Sequence, residues 1–248
     1  MGLRPSLPTP VSGRKPLIAL AALLAFAGPI VATLWVSTPD VTDVQARAVA
    51  DVRAHRSVLL RPDEVPPLLA KAVVATEDER FYAHHGIDTI GLARAVLYDG
   101  VNRCFCQGGS TITEQLVKEL YLGGSDRGYN KLVDIVLALK VEAVLSKGEI
   151  MADYLSDIPT GLGRYGMTNA ACAYFHQPLD SLSLSQYALL AGVANAPSVY
   201  DPTVNPTLAS QRRAQVLADM VSESYITKAQ ADAAGKEPVI SDPPVAAC

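Results

Sequence analysis

Residues 107–124 read QGGSTITEQLVKELYLGG. The glycines give a tight entry, and Thr111 followed by Glu114 fits a capping box, in which a hydroxyl and a carboxylate satisfy backbone N–H groups at the start of an α-helix. Leu116 and Leu120 then lie one turn apart, and Gly123-Gly124 closes the segment. The same pattern extends outward in both directions. From Pro66, Leu68, Leu69, Ala72, Val73 and Thr76 recur at spacings of three and four, which predicts a helix leading to Glu77. Further helices are expected over 89–102, from an Asn130 cap to about 145, and over 150–156 and 168–175. Others are expected from a Ser183/Gln186 cap to about Gly192, over 208–224 and over 227–234. Residues 195–202 read as a turn-rich loop. No alternating run is long enough for a dominant sheet, although a small hairpin fits near Gln107 or Ile158. The fold class read from these signals is mainly α.

The chain has 248 residues, 49% of them apolar, which suits one membrane anchor plus one globular domain with a real core. A net charge of −4 and the lack of a basic stripe with interleaved aromatics argue against a nucleic-acid partner. Residues 17–36, LIALAALLAFAGPIVATLWV, carry no charge over about twenty residues, the length of a membrane span. Arg4, Arg14 and Lys15 precede this run and Asp40 and Asp43 follow it, which leaves the N-terminus inside and the rest outside. A cleaved signal peptide is the rival reading. The apolar run is long for one, and Ala32 and Ser37 make a poor cleavage pair. The expected organisation is a cytoplasmic N-terminus at 1–16, a transmembrane anchor at 17–36, a linker at 37–57, a catalytic domain at 58–234 and a flexible tail at 235–248. Within the linker, residues 38–60 also allow a leading extended or helical segment. Cys104, Cys106, Cys172 and Cys248 lack zinc spacing. One disulfide, or small buried thiols with a loose Cys248, both suit them.

Three segments carry candidate chemistry. Thr76–Asp88, TEDERFYAHHGID, ends an apolar helix in paired carboxylates, Glu77 and Asp78. Burial can raise the pKa of one while a hydrogen-bonded neighbour stays charged. Taken alone, the pair reads at least as well as a solvated acidic helix end beside Arg80. The Gly-Gly-Ser-Thr entry offers helix N–H groups and the hydroxyls of Ser110, Thr111 and Thr113 to phosphate or sugar oxygens, with Lys118 further along. Alone it is equally an ordinary capped helix, and it lacks the Gly-Lys-Ser/Thr ending of a P-loop. Lys131 and Asp134, at i and i+3, fit a local ion pair on a solvated face.

Taken in order, EDERFYAHHG, QGGSTITEQLVKEL and NKLVDIVLALKVE resemble the successive signatures of family 51 glycosyltransferases. These are the transglycosylase domains of bifunctional penicillin-binding proteins and their monofunctional relatives. Glu77, Asp78, Phe81, His84 and Gly86 match the first signature. Gly108 to Thr113, Gln115, Leu116, Lys118 and Leu120 match the second. Residues 161–175 and 182–202 resemble later ones, and the resemblance runs over roughly 58–225.

The resemblance implies a lysozyme-like glycosyltransferase domain, preceded by one transmembrane helix, with a second lobe resting on the membrane. It implies polymerisation of lipid II into glycan strands, with inversion at the anomeric carbon and release of undecaprenyl pyrophosphate. Glu77 would be the general base, and Asp134 would take the place of the family's second carboxylate. Asp78, Phe81, His84, Gly109, Ser110, Thr111, Thr113, Gln115, Lys118 and Lys131 would bind substrate, with Lys118 and Lys131 at pyrophosphate-contacting positions. No cofactor is required. A divalent cation, Mg or Mn, would act through the substrate pyrophosphate, since no protein metal cage is visible. The implied partners are lipid II, the growing glycan, the membrane, and cell-wall synthesis or division proteins. The implied location is the inner membrane, single-pass, with the domain outside the cytoplasm. The stretch after residue 235 leaves no room for a transpeptidase, so a monofunctional enzyme is expected.

The sequence also departs from the family pattern. Asn130 replaces an arginine, Asp134 a glutamate, Glu114 a glutamine, Glu119 an asparagine, Ala152 a glutamate and Ser156 an asparagine. The changes at 114, 119 and 130 make an anion-binding cleft less cationic. They motivate a second reading, a weakly active or inactive lipid II-binding or regulatory module. A lysozyme-like hydrolase is a third, disfavoured because the Gly-Gly-Ser-Thr motif suits a pyrophosphate donor.

Overall fold

The computed structural model describes residue 29 and residues 32–102, 109–125, 128–161 and 163–240. The chain divides into two units, Met1–Pro39 and Asp40–Cys248. In the first, residues 32–37 are helical, and Thr33 Oγ1 donates to the Pro29 carbonyl at 2.8 Å. Most of the expected anchor at 17–36, and all of 1–16, lies outside the described residues. No helix among the described residues is long and apolar enough to cross a membrane.

The second unit is built from helices in chain order: α1 Val44–Ala54, α2 Pro67–Glu77, α3 Thr89–Asn102, α4 Ile112–Leu122, α5 Tyr129–Glu142 and α6 Lys147–Asp157. A small antiparallel hairpin follows, β1 Pro159–Gly161 with β2 Arg164–Tyr165, and it is the only sheet among the described residues. Then come α7 Met167–Phe175, α8 Leu184–Asn195, the short α9 Pro197–Tyr200, α10 Pro206–Ser222 and α11 Lys228–Ala234. The mainly α expectation holds, with the hairpin at the Ile158 alternative.

Local chemistry explains the elements that position the site. At α4, Thr111 Oγ1 accepts from Glu114 N at 3.1 Å while Glu114 Oε2 accepts from Thr111 N at 2.7 Å, the reciprocal box expected from sequence. Gly123 ends the helix at φ 56°, a left-handed turn that glycine adopts without Cβ strain. Helix α8 is apolar on every side. Tyr187 to Ala191 and Val193 are buried, so it forms the centre of the core, packed against α2 and α10. Helices α4, α5, α6 and α1 make the second group, joined through α4·α5, α4·α6 and α1·α6 contacts.

Several boundaries differ from expectation for identifiable reasons. The stretch 37–57, expected as a linker with a leading extended or helical segment, holds the helix α1, whose Val44, Ala48 and Val52 are buried. Helix α6 starts three residues before Ile150 because Ser146 and Glu149 form a capping box. Helix α5 starts after Gly128 rather than at an Asn130 cap, and the Asn130 amide instead donates back to the Ser125 carbonyl at 3.2 Å. Helix α8 runs past Gly192, which is a crossing point and not a stop. A Cβ there would lie 2.9 Å from Cγ of Arg212 on α10. The start of the expected flexible tail is anchored, since Arg213 donates to the carbonyls of Gly235 and Pro238 at 3.3 and 3.1 Å. Residues 241–248 lie outside the described residues. Cys172 is disulfide-bonded, so it is not a free buried thiol. Cys104, Cys106 and Cys248 lie outside the described residues, as does Gln107.

Candidate active site

Helix α2 enters the core through Leu69, Ala72, Val73 and Val74, all nearly or fully buried, and delivers Glu77 at its last turn. The Glu77 side chain is only 6% exposed. Its Oε2 accepts from Gln115 Nε2 at 3.0 Å, and its Oε1 accepts from Asn195 Nδ2 at 3.0 Å and Arg212 Nη2 at 3.3 Å. The Gln115 amide is itself fixed, because Tyr154 OH donates to its Oε1 at 3.0 Å. Burial holds the Tyr154 phenol well above its ordinary pKa, so it stays a donor. Burial pushes the Glu77 carboxyl up from its ordinary value, against the Gln115 hydrogen bond and the Arg212 charge, with Asn195 and Lys118 opposing less strongly. A carboxylate poised in this way is suited to general-base work.

Asp78 does something different. Its carboxylate meets His84 Nε2 at 2.9 and 3.0 Å and accepts from the backbone N–H of Ile112 at 3.0 Å. It therefore ties the end of α2 to the start of α4. Phe81 is fully buried, with Lys147 Nζ 4.3 Å from its ring centroid. Gly86, at φ 87°, lies where a Cβ would meet the α5 backbone at Ala138 at 2.8 Å. Its carbonyl accepts from Thr111 Oγ1 at 2.7 Å. Of the first sequence motif, then, Asp78, Phe81, His84 and Gly86 are all engaged within the scaffold that holds Glu77.

A second cluster lies at the entry to α4. Lys131 Nζ donates to Ser110 Oγ and Glu114 Oε1, each at 2.8 Å, and to Asp134 Oδ2 at 3.0 Å. Burial alone would lower the Lys131 ammonium, but Glu114 and Asp134 outweigh it and hold its pKa above the ordinary lysine value. Asp134 is buried, so the Lys131–Asp134 pair is not the solvated ion pair of the blander reading. The hydroxyls of Thr111 and Thr113 are engaged within the fold, the latter donating to Glu142 Oε1 at 2.6 Å. Gly109 is exposed. Gly108 lies outside the described residues.

Beside Glu77 lies a cavity of about 150 Å³ whose walls include Gln115, Lys118, Tyr154 and Asn195. Lys118 is thus brought to the Glu77 side of α4. Lys131, Ser110 and Asp134 form a separate group and do not line this cavity.

A family model described as Transglycosylase matches residues 45–221. The chain belongs to the transglycosylase family. The match begins within α1 and ends within α10, so it takes in both groups of helices. Penicillin-binding protein 1A of Vibrio cholerae is 40% identical over 216 residues, covering 86% of this chain and 26% of that protein. Penicillin-binding protein 1A of Escherichia coli is 38% identical over 184 residues, 74% of this chain and 22% of that protein. A crystal structure of Penicillin-Binding Protein 1A from Haemophilus influenzae matches with a TM-score of 0.45 at 24% identity, over 75% of this chain and 18% of that chain. The chain spans about a quarter of the length of the relatives it matches.

Three site residues of this transglycosylase chain escaped the sequence reading. Asn195 sat in a stretch read as a loop, and Arg212 in a stretch expected only as a helix. Tyr154 fell inside a predicted helix without a role. Each acts through tertiary contact with Glu77 or Gln115 and has no local pattern around it. The only sequence signal for Arg212 was Gly192, a small residue in an otherwise apolar helix, which marks a close approach.

Proposed function

We propose that this chain is a peptidoglycan glycosyltransferase that polymerises lipid II into glycan strands. Glu77 carries the reading: a buried carboxyl, raised in pKa and held by three donors, two of which, Gln115 and Asn195, line a cavity together with Lys118. In the proposed reaction, Glu77 takes the proton from the acceptor sugar hydroxyl as that oxygen attacks the donor's anomeric carbon. The bond to the undecaprenyl pyrophosphate breaks and the anomeric centre inverts. Pyrophosphate is a good leaving group and needs charge neutralisation more than protonation, and in this reading Lys118 supplies the charge. A divalent cation would join through the pyrophosphate. Among the described residues, no group of three or more His, Cys, Asp or Glu side chains is placed to hold a metal.

The lipid tails of both substrates call for a membrane surface, supplied in this reading by the anchor at 17–36 and the exposed apolar side of α3. The domain then works outside the inner membrane with the N-terminus inside, on the growing glycan and alongside cell-wall synthesis or division proteins. One observation favours a second reading, a weak or inactive lipid II-binding module. Lys131 already faces two carboxylates, Glu114 and Asp134, which leaves it less charge to offer a pyrophosphate.

The purified protein with lipid II in detergent should yield polymer, and Glu77→Gln should reduce it at least a hundredfold. Equal polymer from the variant removes Glu77 from the mechanism. No polymer from either, with lipid II still bound, selects the binding-module reading.

A further inference from the structure

Two hydrogen bonds in series join three helices at Glu77. Tyr154 OH, on α6, donates to Gln115 Oε1 on α4 at 3.0 Å. Gln115 Nε2 donates in turn to Glu77 Oε2, at the end of α2, also at 3.0 Å. A glutamine amide has one accepting end and one donating end, so each of these bonds dictates the other.

The reversed amide shows what the phenol contributes. Reversal sets Gln115 Oε1 against Glu77 Oε2, which is tolerable only when Glu77 carries a proton to donate. It also sets Nε2 against the Tyr154 oxygen, which can accept it. The phenol O–H then needs another acceptor, yet Gln115 is its one hydrogen-bond partner among the described residues. Tyr154 is buried, and a buried O–H without an acceptor costs free energy. That cost falls on the arrangement in which Glu77 is protonated. Ionisation gives the phenol no escape, because burial, with Glu77, Glu119 and Asp78 adding negative charge, holds it well above its ordinary pKa.

The other groups around Glu77 act apart from this relay. Asn195 Nδ2 and Arg212 Nη2 both bond to Oε1, at 3.0 and 3.3 Å. Lys118 acts through its charge. Asp78 is turned to His84 and the Ile112 N–H. Among the described residues Oε2 therefore has Gln115 as its donor, and the direction of that amide decides whether Oε2 faces an N–H or a carbonyl oxygen.

We propose that Tyr154 is a positioning residue: its O–H, given to Gln115 Oε1, keeps the N–H end of the amide on Glu77 and so keeps Glu77 free to take a proton from the acceptor hydroxyl. This deepens the glycosyltransferase reading and rests on it for the source of that proton.

The titration of Glu77 is followed directly by NMR, in the full chain in detergent with isotope-labelled glutamate carboxyls. The Glu77 signal is the one missing from Glu77→Gln. Tyr154→Phe removes the bias against the reversed amide and should raise the midpoint by at least about half a pH unit. In a Gln115→Leu background the relay is already cut, and the same change should move the midpoint by less than about 0.2 pH unit. The acid limb of polymerisation rate against pH should rise with the midpoint. Lost packing alone would lower the rate by one factor at every pH and leave the limb in place. Should Tyr154→Phe fail to fold, 3-fluorotyrosine at position 154 keeps the ring and makes the phenol a stronger donor, and the midpoint should fall. The proposal is overturned by an unmoved midpoint in Tyr154→Phe, by an equal shift in the Gln115→Leu background, or by a fluorotyrosine midpoint that does not fall. Absence of polymer from the unaltered chain at every pH counts against the glycosyltransferase reading, and the carboxyl titration still decides the role of Tyr154.

Discussion

At residue scale, one aspartate offers a direct measure of how much unrelieved charge the site holds. Burial raises Asp153 from the ordinary 3.8 to about 6, opposed by the Gln45 amide and reinforced by Glu149. Below about pH 4 the carboxyl is neutral in both folded and unfolded chains and costs nothing. From about pH 4 to about pH 6 the unfolded chain releases the proton while the folded chain holds it, so stability falls with rising pH. Above about pH 6 the loss is constant, on the order of 1–3 kcal/mol. Asp153→Asn keeps an oxygen for Gln45 and removes the ionisation. It should raise stability by that amount at pH 7.5, measured by denaturant titration, with a gain well under about 1 kcal/mol at pH 4. An equal gain at both pH values would mean that packing, and not charge, is responsible. The carboxylates at Lys131 have a different origin. Glu114 sits where the resemblance leads one to expect glutamine, yet it both completes the α4 cap and pairs with Lys131. A change that reads as damage to an anion site is thus also part of the local structure.

At the scale of elements, the α8–α10 crossing determines whether Glu77 has its cationic partner. Gly192 lets Arg212 Cγ approach to where a Cβ would stand only 2.9 Å away. The same arginine reaches Thr76 Oγ1 at 3.1 Å and Glu77 Oε1 at 3.3 Å, and its guanidinium lies 5.7 Å from the Tyr200 ring centroid on α9. In an open helix, Gly→Ala stabilises by up to about 1 kcal/mol. Here the overpacking, on the order of 1–3 kcal/mol, outweighs that gain. Gly192→Ala should therefore lower the melting temperature and cut polymer yield at least tenfold by moving Arg212. A variant that melts higher and keeps full activity would show that the crossing has slack. The elements also show where sequence reading succeeds and where it stops. The cap and glycine stop of α4, the start of α3 and the start of α8 were legible because each is written in a few adjacent residues. The end of α8 was not, because Gly192 answers to a helix that follows later in the chain. Helix α1 was read only as an extended or helical possibility because its alanines and valines fall on several faces, and only Val44, Ala48 and Val52 turn out to be buried. In the site, Glu77 and Gln115 stood out within contiguous motifs. Asn195 and Arg212 bond to Glu77 from 118 and 135 positions away, which no local pattern encodes.

At the scale of the molecule, α3 shares least in the core of the long helices among the described residues. Only Ala95 of α3 is fully buried among the side chains described, while Ile90, Leu97 and Val101 are 59, 70 and 82% exposed. With Arg94 and Tyr98 they line one continuous surface at helical spacing. A solvated helix that leaves such a stripe in water forgoes the burial that stabilises the long helices of the core, whereas a bilayer interface accepts apolar side chains together with a basic and an aromatic residue. If α3 meets lipid, its contribution depends on how the substrate is presented. In detergent, lipid II arrives in a micelle and the stripe matters little. In liposomes, the domain must sit at the right depth for the cavity beside Glu77 to receive an embedded chain. Leu97→Glu/Val101→Glu places two charges on side chains that make little core contact, so folding stability should stay within about 0.5 kcal/mol of wild type. Polymerisation in detergent should be unchanged, and polymerisation of liposome-embedded lipid II should fall at least fivefold. A parallel loss in both settings would place α3 in the catalytic architecture. No loss in either would mean that the exposed stripe serves something other than the membrane.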